Sequence, residues 1–476
     1  MNHTVQTQAP SQTVVQVTPD MLTRLDVSGP RYTSYPTADR FVEAYGPEQY
    51  AQALHQRGAG GGAVALPANP LSVYVHIPFC ESVCYYCACN KIITRHHSKA
   101  EPYLAALKQE IALVGAQLGF RQAVSQLHFG GGSPTFLSDD ELEDLLHTLK
   151  ETFRFVPGGE YAIEVDPRTV DVNRLRRLSQ MGFNRLSLGV QDFDPTVQKA
   201  VHRVQPFESV RALMLQAREL GFESINTDLI YGLPKQHPAG FRHTLEQLAT
   251  LKPDRIALYG YAHLPQRFKP QRRIHAEDLP PAQDKVTMLS TAIEVLRDAG
   301  YDYIGMDHFA LHHDSLAVAK RQGRLHRNFQ GYSTHADSDL IGLGVSAIGR
   351  VGAHYSQNAK TMEAYTDALA RGELPIERGL VLNRDDIVRR AVIMAVMCQG
   401  RVDYESIELA YLIDFRQYFA AELRQLEPLV EMGLVQLESD GVRVTPLGWY
   451  FVRAIAMVFD RYLQADRTAG RFSRII

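Results

Sequence analysis

The chain has 476 residues, 45% of them hydrophobic, which is enough for one large domain of about 250 to 350 residues and a smaller one. Its 50 Lys and Arg residues against 53 Asp and Glu residues give a formal net charge of −3, so no overall positive field would attract nucleic acid. The polar start lacks a secretory signal and no run of about eighteen apolar residues occurs, so we expect a cytoplasmic protein without membrane insertion.

The first 70 residues are predicted to form an N-terminal extension and a linker. Residues 1–18 are rich in Gln and Thr, a composition typical of disorder. Residues 29–41 contain two prolines and suggest an extended segment, and a helix is expected up to about Arg57. Residues 58–70 contain the glycines of a dinucleotide-binding fingerprint, but they follow no strand and their prolines oppose a helix, so we interpret them as a flexible linker.

Residues 71–378 alternate short β-rich apolar runs with amphipathic helical stretches. The predicted strands are residues 72–79, 124–129, 160–165, 185–190, 224–231 and 255–261. Six strand–helix units with right-handed crossovers predict a parallel α/β sheet that curls, and six is too few to close an eight-stranded barrel. We therefore predict a partial (β/α)6 barrel, with a flat doubly wound sheet as the alternative.

The helices between these strands show the expected spacing. Apolar residues at spacings of 3 and 4 fall on one face of two helices, one with Leu104, Leu107, Ile111 and Val114 and one with Val286, Leu289, Ile293 and Leu296. Ser138 and Glu141 predict a capping box, and Gly300 a C-terminal cap.

Residues 379–476 are predicted to form a mainly helical domain. The pair Asp440 and Gly441 between two apolar runs indicates a hairpin followed by a helix, which is a winged-helix-like outline. Winged helices often bind DNA, but this segment has no dense Lys and Arg face. We expect a structural or lid role and no nucleic-acid partner.

Four of the five cysteines fall within ten residues: Cys80, Cys84, Cys87 and Cys89. This clustering is wrong for a disulfide framework and right for a metal site, and a zinc site would usually need a second Cys-x-x-Cys pair. Thiolates at positions n, n+4 and n+7 can hold one iron-sulfur cubane with one iron open. The spacing Cys-x-x-x-Cys-x-x-Cys after the first strand resembles the signature of radical S-adenosylmethionine (SAM) enzymes; Cys89 as a fourth ligand is the alternative.

Polar residues follow each predicted strand at the end where barrels place their active sites. The first strand is followed by the cysteines, and the next five by Gly130 to Gly132 with Ser133, Glu164 and Asp166, Gln191 and Asp192, Asp228, and Ala262 with His263. Any one of them alone would more often be a cap or a turn residue. Their repetition over six units indicates a site.

The motifs together resemble one family, the oxygen-independent coproporphyrinogen III oxidases. The matching stretches include PRYTSYPTA from Pro30, YVHIPFC from Tyr74, CYYCACNK from Cys84, HFGGGSPT from His128, EVDPR from Glu164, GVQDF from Gly189, DLIYGLPKQ from Asp228, YAHLP from Tyr261, GMDHFA from Gly305, HRNFQGYST from His326 and the final FSRII. The resemblance runs from about residue 29 to beyond residue 350.

The resemblance implies a 4Fe-4S cluster on Cys80, Cys84 and Cys87 and two SAM molecules per site. The cluster-bound SAM would contact Tyr74, Gly131, Glu164 and Ile348. The second would contact Tyr86, Gly132, Ser133, Gln191, Arg203, Asp228 and Ala262, with Phe329 and Gln330 as further lining residues. Tyr86, Ala88 and Ser133 depart conservatively from the family's usual Phe, Gly and Thr.

The implied reaction is oxidative decarboxylation of two propionates of coproporphyrinogen III to vinyl groups, giving protoporphyrinogen IX in heme biosynthesis through a 5'-deoxyadenosyl radical. Tyr74 and Cys89 are the candidate catalytic residues, Cys89 as a hydrogen relay or a wall of the second SAM site, with simple packing beside the cluster as the alternative. Arg31, Lys91 and Arg95 are candidates for binding the substrate carboxylates, against a solvated surface role for each.

Other members of the superfamily provide the alternative hypotheses for the function. Heme-trafficking proteins usually lack the cysteine at position 89 and the segment with Arg31, so both features favour the oxidase. Tetrapyrrole methyltransferases are the nearer enzymatic rival. We expect a monomer that uses an electron donor and an electron acceptor which the sequence does not identify.

Overall fold

The structure, a computed structural model, describes Met21, Arg24, Leu25 and residues 29–59, 69–119, 121–335 and 338–465. The predicted disordered start, most of the predicted linker and the final FSRII lie outside the described residues. Among the described residues, no helix has the length and apolarity needed to cross a membrane.

All six predicted strands form, and they are neighbours in one sheet. They are β1 (Leu71–Ile77), β4 (Ala123–Gly131), β5 (Arg154–Val165), β6 (Arg185–Gln191), β7 (Ser224–Tyr231) and β8 (Arg255–Gly260). Each pairs in parallel with the next, because a helical crossover returns the chain to the same end of the sheet.

The sheet is larger and more mixed than predicted, with twelve strands. Beyond β8 lie β10 (His308–Leu311) and β9 (Tyr301–Gly305), and beyond β1 lie β13 (Leu340–Leu343), β14 (Ile348–Val351), β15 (His354–Asn358) and β16 (Ile376–Val381). Only β13 among these pairs in parallel with β1; the outer strands are antiparallel to their neighbours. The six predicted strands form the parallel centre of this sheet, and the six added strands, each only four to six residues long, were not predicted.

The prediction of an open, curved α/β sheet is confirmed. The two edge strands, β16 and β9, do not pair with each other within the described residues. Side chains from strands as far apart as β14 and β10 nevertheless line one cavity. The sheet therefore curves around that cavity as a partial barrel.

The helices follow the predicted patterns. They are α1 (Pro47–Gly58), α2 (Ala100–Leu118), α3 (Asp139–Thr152), α4 (Val172–Met181), α5 (Pro195–Ala200), α6 (Phe207–Glu219), α7 (Pro238–Leu251), α8 (Ala282–Asp298), α9 (Ser315–Arg321), α10 (Met362–Ala370), α11 (Arg384–Gln399), α12 (Tyr404–Tyr411), α13 (Phe415–Tyr418), α14 (Ala420–Gln425), α15 (Glu427–Glu431), α16 (Val452–Met457) and α17 (Arg461–Ala465). The apolar face of α2 is buried, the capping box of α3 forms, and Gly300 adopts a φ of 91° after α8.

The remaining strands are short. They are β2 (Phe79–Cys80), β3 (Ile92–Ile93), β11 (His326–Asn328), β12 (Gly331–Ser333), β17 (Arg401–Asp403), β18 (Val435–Leu437) and β19 (Gly441–Val444). The predicted hairpin at Asp440 and Gly441 is the pairing of β18 with β19, and β17 completes a small three-stranded sheet.

The C-terminal helices share a core with the start of the chain, which the sequence did not suggest. Tyr32 and Tyr35 are fully buried in this second core. The Tyr32 hydroxyl donates to Asp460 at 2.9 Å, and Arg453 donates to the carbonyls of Gly29 and Pro30. The segment before the barrel is thus fixed to the C-terminal helices.

Candidate active site

The cysteine loop follows β1 at the carboxyl end of the sheet. The chain turns at Pro78 into β2, and β3 pairs with β2 after the loop, so that the Ile92 N–H donates to the Pro78 carbonyl at 2.7 Å. Four cysteines, Cys80, Cys84, Cys87 and Cys89, line one cavity with a volume of about 400 Å³. We call it the cysteine cavity.

The donor set fits an iron-sulfur cluster. Cys80, Cys84 and Cys87 are not joined by disulfides, and their thiols share one cavity large enough for an inorganic group. Soft thiolates are the ligands that such clusters prefer. Among the described residues, no three His, Cys, Asp or Glu side chains are grouped to hold a single metal ion.

A pair of arginines supports the Cys84 sulfur. Arg203 donates to Cys84 Sγ at 3.5 Å and Arg168 does so at 3.7 Å. Both also contact Asp166, at 3.3 Å and 2.6 Å. Burial would raise the pKa of Asp166, but the hydrogen bonds and charges of the two arginines outweigh it and lower that pKa. Two guanidinium groups against one carboxylate leave positive charge for a thiolate.

The other cysteine sulfurs experience different surroundings. A hydrogen bond from Cys89, together with the charge of Lys91, lowers the pKa of Cys87 to about 6, although burial opposes it. Burial raises the pKa of Cys80 to about 11. Lys91 Nζ also donates to the carbonyls of Cys87 and Cys89, at 3.0 and 3.3 Å. Lys91 therefore fixes the end of the loop.

The glycine turn after β4 packs directly on the approach to this loop. Gly132 N–H donates to the Ile77 carbonyl and Ser133 N–H to the Phe79 carbonyl, both at 2.8 Å. A Cβ on Gly132 would lie 2.6 Å from the Phe79 oxygen, and Gly131 has a φ of 109°. Glycine is therefore required here for close backbone approach.

Glu164 at the end of β5 links the glycine turn to β1 and β4. It accepts from Gly131 N–H at 3.2 Å and contacts His128 Nε2 at 3.0 Å. The ring of Tyr74 stacks on His128 with centroids 5.9 Å apart, and its hydroxyl lies 3.1 Å from His76 Nδ1. Burial, and then the charge of Glu164, raises the pKa of Tyr74, so the phenol stays protonated.

Asp228 on β7 is a partly buried carboxyl group that lines the cysteine cavity and a second cavity next to it. Burial and the nearby charge of Glu164 raise its pKa to about 7, although Asn226 donates to it at 2.9 Å. On the neighbouring strand β6, Gln191 adopts a φ of 67°, a left-handed conformation that is uncommon outside glycine. Such strain is found at functional sites.

A second cavity of about 530 Å³ extends from this point toward the amino ends of the strands. Its wall includes Phe329, Gln330, Ile348, His308 and Arg255, and we call it the barrel cavity. The cysteine cavity and the barrel cavity share five lining residues: Cys89, Gly131, Glu164, Ser187 and Asp228. The two cavities therefore adjoin along this shared wall.

The structure brings most of the candidate residues to these two cavities. The cysteine cavity is lined by Cys80, Cys84, Tyr86, Cys87, Cys89, Gly131, Gly132, Ser133, Glu164, Gln191, Arg203 and Asp228, and the barrel cavity by Tyr74, Phe329, Gln330 and Ile348. Ala262, just after β8, lines neither of them.

The three cationic candidates for substrate binding differ in their distance from the cavities. Lys91 lines the cysteine cavity, whereas Arg95 is exposed and lines neither cavity. Arg31 pairs with Asp307 at 2.7 Å and lies 5.2 Å from the centre of the Tyr259 ring, which lines the barrel cavity. The surface-charge alternative therefore describes Arg95 and not Arg31.

Several site residues were not singled out from the sequence. They are His76, His128, Arg168, Arg185, Arg255, His308 and Arg327. Five of these stand inside the quoted motifs, and their position there was the signal: His76 in YVHIPFC, His128 in HFGGGSPT, Arg168 in EVDPR, His308 in GMDHFA and Arg327 in HRNFQGYST. Arg185 and Arg255 each begin a strand and gave no such signal.

Comparison with known proteins agrees with this arrangement. Residues 74–248 match the Radical SAM superfamily, and residues 382–451 match the HemN C-terminal domain. The oxygen-independent coproporphyrinogen III oxidase of Pseudomonas aeruginosa is 50% identical over 459 residues, covering 96% of this chain and 98% of the relative. That of Escherichia coli is 47% identical over 456 residues, with the same coverage. The solved structure of the Escherichia coli protein, described as a radical SAM enzyme, superimposes with a TM-score of 0.87 over 91% of this chain and 98% of that one.

Proposed function

This chain belongs to the oxygen-independent coproporphyrinogen III oxidases of the radical SAM superfamily, and from that premise we propose how its two cavities divide the work. The reaction is oxidative decarboxylation of two propionates of coproporphyrinogen III to vinyl groups, giving protoporphyrinogen IX. The cysteine cavity holds the cluster and one SAM, the cluster-bound SAM lies where the two cavities meet, and the rest of the barrel cavity takes the tetrapyrrole. The observation that carries the assignment is the shared wall of Cys89, Gly131, Glu164 and Asp228.

Three cysteines are assigned as cluster ligands, Cys80, Cys84 and Cys87, which leaves one iron without a protein ligand. When bound, the 4Fe-4S cluster would supply an electron, and SAM would supply the 5'-deoxyadenosyl radical that removes hydrogen from the propionate. Arg203 and Arg168 donate to Cys84 and so favour its thiolate form.

Two SAM molecules per site are part of the proposal. The first lies against Tyr74, Gly131, Glu164 and Ile348. The second lies against Tyr86, Gly132, Ser133, Gln191, Arg203 and Asp228, and Ala262 after β8 completes that set. Support for two molecules comes from the two cavities: Tyr74 and Ile348 line the barrel cavity, most of the second set lines the cysteine cavity, and Gly131, where backbone can approach a ligand closely, lines both.

The remaining side chains orient and protect the reaction. Tyr74 stays a protonated phenol hydrogen-bonded to His76, and it can position a ligand without reacting as a base. Cys89 borders both cavities and is placed to donate hydrogen toward either. Asp228, with a pKa of about 7, can hold or release a proton at the junction.

The wider setting of the enzyme completes the proposal. The chain acts as a cytoplasmic monomer, takes electrons from a separate donor and passes them to a separate acceptor, and does not bind nucleic acid or insert into membranes. We divide the chain into residues 1–70, 71–378 and 379–476; one core lies within the barrel, and a second joins the C-terminal helices to Tyr32 and Tyr35 and to side chains between residues 304 and 332.

An anaerobic turnover assay tests this function. The cluster is reconstituted, SAM, a reductant and coproporphyrinogen III are added, and the oxidised porphyrins and nucleosides are separated by chromatography. We expect protoporphyrin together with 5'-deoxyadenosine. Deoxyadenosine with a methylated porphyrin would indicate a tetrapyrrole methyltransferase instead.

The binding-protein alternative has its own signature in the same experiment. A heme-trafficking protein would take up heme stably and form neither protoporphyrin nor 5'-deoxyadenosine. The relatives at 42–50% identity are oxygen-independent coproporphyrinogen III oxidases, and the match covers 98% of each of them, which favours the oxidase.

A further inference from the structure

A short segment after β8 has four exposed cationic side chains and no acidic ones. Residues 262–276, which we call the basic segment, contain Arg267, Lys269, Arg272 and Arg273, and there is no Asp or Glu among them. The whole chain has a formal net charge of −3, so this concentration of positive charge is local. A local positive field of this kind attracts a partner of negative charge.

The four cations are not neutralised by neighbouring carboxylates. Within the described residues none of them has an ion pair, and Arg272 and Arg273 donate to neutral oxygens, the Pro265 carbonyl at 3.1 Å and the Tyr85 hydroxyl at 3.3 Å. Glu277, the next acidic residue along the chain, is one exposed anion beside four cations. Exposed arginines elsewhere have carboxylate partners: Arg211 with Glu208, Arg297 with Asp298 and Arg371 with Glu373.

The basic segment is fixed against the cysteine loop. Gln271 Nε2 donates to the Tyr86 carbonyl at 3.0 Å, and the Arg273 guanidinium lies 5.1 Å from the centre of the Tyr85 ring. The buried side chain of Ile274 belongs to a small apolar core against which both tyrosines pack. Tyr86 lines the cysteine cavity, whereas Tyr85 and the four cations do not. The basic segment therefore contacts the loop from its outer side.

Tyr85 connects this outer side to the assigned cluster ligands. It lies between Cys84 and Cys87 in the chain, and it is half-buried. Its ring stacks on His202 with centroids 5.1 Å and planes 9° apart, and Arg273 contacts the same ring. The chain between two ligands thus reaches the surface next to the four cations. A molecule bound on this surface would be close to the cluster without entering the cavity.

The position favours an electron donor over the substrate as the partner. None of the four cations lines the cysteine cavity or the barrel cavity, so none is placed to pair with a tetrapyrrole carboxylate there. An electron donor needs only a close approach to the cluster. Complexes between electron-transfer proteins are small and weak, and complementary charge steers their encounter, which suits a compact patch of exposed cations.

We propose that Arg267, Lys269, Arg272 and Arg273 form the docking surface for an acidic electron-transfer protein that reduces the cluster. In each encounter the partner loses one electron and the cluster gains it, and no bond forms or breaks. This inference rests on the proposed function, because it requires a cluster on the cysteine loop and a separate donor. It adds the chemistry of that donor, a protein with a negatively charged surface.

The test measures how fast the reconstituted cluster of the full-length protein is reduced. The probe is a photoreduced plant-type 2Fe-2S ferredoxin, used as an acidic one-electron donor. Freeze-quench electron paramagnetic resonance follows the appearance of the reduced 4Fe-4S signal at several ionic strengths. The variant combines Arg267→Gln, Lys269→Gln and Arg272→Gln and keeps Arg273, which contacts the loop.

We expect the rate constant for this variant to fall about 10- to 100-fold below wild type at low ionic strength, because the steering field is lost. The rate for wild type falls as salt is added, whereas that of the variant changes little. Reduced methyl viologen, a small cation, reduces both proteins at similar rates. Iron and sulfide content per chain stays at the wild-type value, which shows that the loop still holds its cluster.

A second triple variant, Arg211→Gln with Arg297→Gln and Arg371→Gln, is the matched control. It also removes three exposed positive charges, but each of them is already paired with a carboxylate and none lines either cavity. We expect its rate constant with the ferredoxin to stay within about twofold of wild type. Equal losses in the two triple variants would overturn the docking surface, since net charge alone would explain both.

The other outcomes separate this inference from the proposed function. A wild-type rate that does not depend on salt, or a wild-type cluster that methyl viologen reduces and the ferredoxin does not, contradicts the docking surface. A raised KM for coproporphyrinogen III with unchanged cluster reduction also overturns it, because the cations would then guide the substrate. Wild type that accepts the electron as expected but forms no protoporphyrin overturns the function and leaves the docking surface standing.

Discussion

The cysteine cavity and the barrel cavity are neighbours, but their residues come from the chain in different ways. Cys80, Cys84 and Cys87 come from one eight-residue loop, and their supports lie in compact motifs at successive strand ends. The barrel cavity collects side chains from residue 74 to residue 348, and its hairpin of β11 and β12 packs against the C-terminal helices through the Tyr332 hydroxyl, which donates to the Met397 carbonyl at 3.0 Å.

The difference separates chemistry from recognition. Catalysis in the cysteine cavity depends on a few residues that no other side chain can replace, so we expect single substitutions there to have large effects on turnover. The barrel cavity depends on many contacts made across the fold, so that single changes there have graded effects on binding. The following experiments test this contrast, from the largest expected effect to the smallest.

Cys84→Ser is expected to abolish turnover and 5'-deoxyadenosine formation, because a hydroxyl is a poor ligand for iron in a cluster. Iron and sulfide content per chain and the anaerobic assay measure the effect. Cys398→Ala, a change at a buried cysteine on α11, serves as control and keeps both cluster and turnover. Substantial turnover by Cys84→Ser would contradict the account.

Arg203→Met is expected to lower the free energy of unfolding by about 3 kcal/mol, because it breaks a buried pair with Asp166 and removes a donor to Cys84. Arg168→Met is the comparison, since its side chain is 20% exposed and its partner keeps Arg203; we expect about 1 kcal/mol. Chemical denaturation measures both values. Equal losses would show that burial does not distinguish the two arginines.

Glu110→Gln tests the framework behind the barrel cavity. Glu110 is buried and accepts from Gly344 N–H, Asn358 and Tyr365 at 2.7, 2.6 and 2.5 Å, which fixes the turn leading to Ile348. Burial raises the pKa of Glu110 to about 7 from an ordinary value of 4.5. Its contribution to stability is therefore fully present below pH 4.5 and is lost as the pH rises through about 7.

We expect the stability advantage of wild type over Glu110→Gln to fall by about 3 kcal/mol across that pH window. The difference between the two proteins is the readout, because the pKa of Asp228 is also about 7. Glu101→Gln, an exposed change on the same helix, keeps the wild-type slope. A pH-independent difference would show that Glu110 is ionised throughout.

Arg95→Gln is expected to have the smallest effect, with KM and kcat within about twofold of wild type, because exposed charges contribute little. Lys91→Met, in contrast, removes the donor to the Cys87 and Cys89 carbonyls, and we expect turnover to fall about tenfold. Steady-state kinetics under anaerobic conditions compare the two. A strong effect of Arg95→Gln on KM would return Arg95 to the substrate site.

The contrast between local motifs and contacts made across the fold also explains which features the sequence could predict. The six central strands and the cysteine loop depend on local patterns, and the structure confirms the strands within about two residues except at the start of β5, which begins at Arg154 and not at residue 160. Strands β13 to β16 are only four to six residues long, too short for a clear alternating pattern; β13 pairs with the distant β1, and β14 to β16 pair with their neighbours along the chain. The burial of Tyr32 beside Asp460 and the grouping of Arg327 with His308 are likewise products of tertiary contact.

The most direct test of the central claim is electron paramagnetic resonance of the reduced cluster with and without SAM. If three cysteines bind the cluster and one iron is open, SAM changes the spectrum of wild type, Cys89→Ser retains a cluster that still responds to SAM, and Cys84→Ser holds no intact 4Fe-4S cluster. A wild-type spectrum that ignores SAM, together with loss or alteration of the cluster in Cys89→Ser, would make Cys89 the fourth ligand and contradict the account.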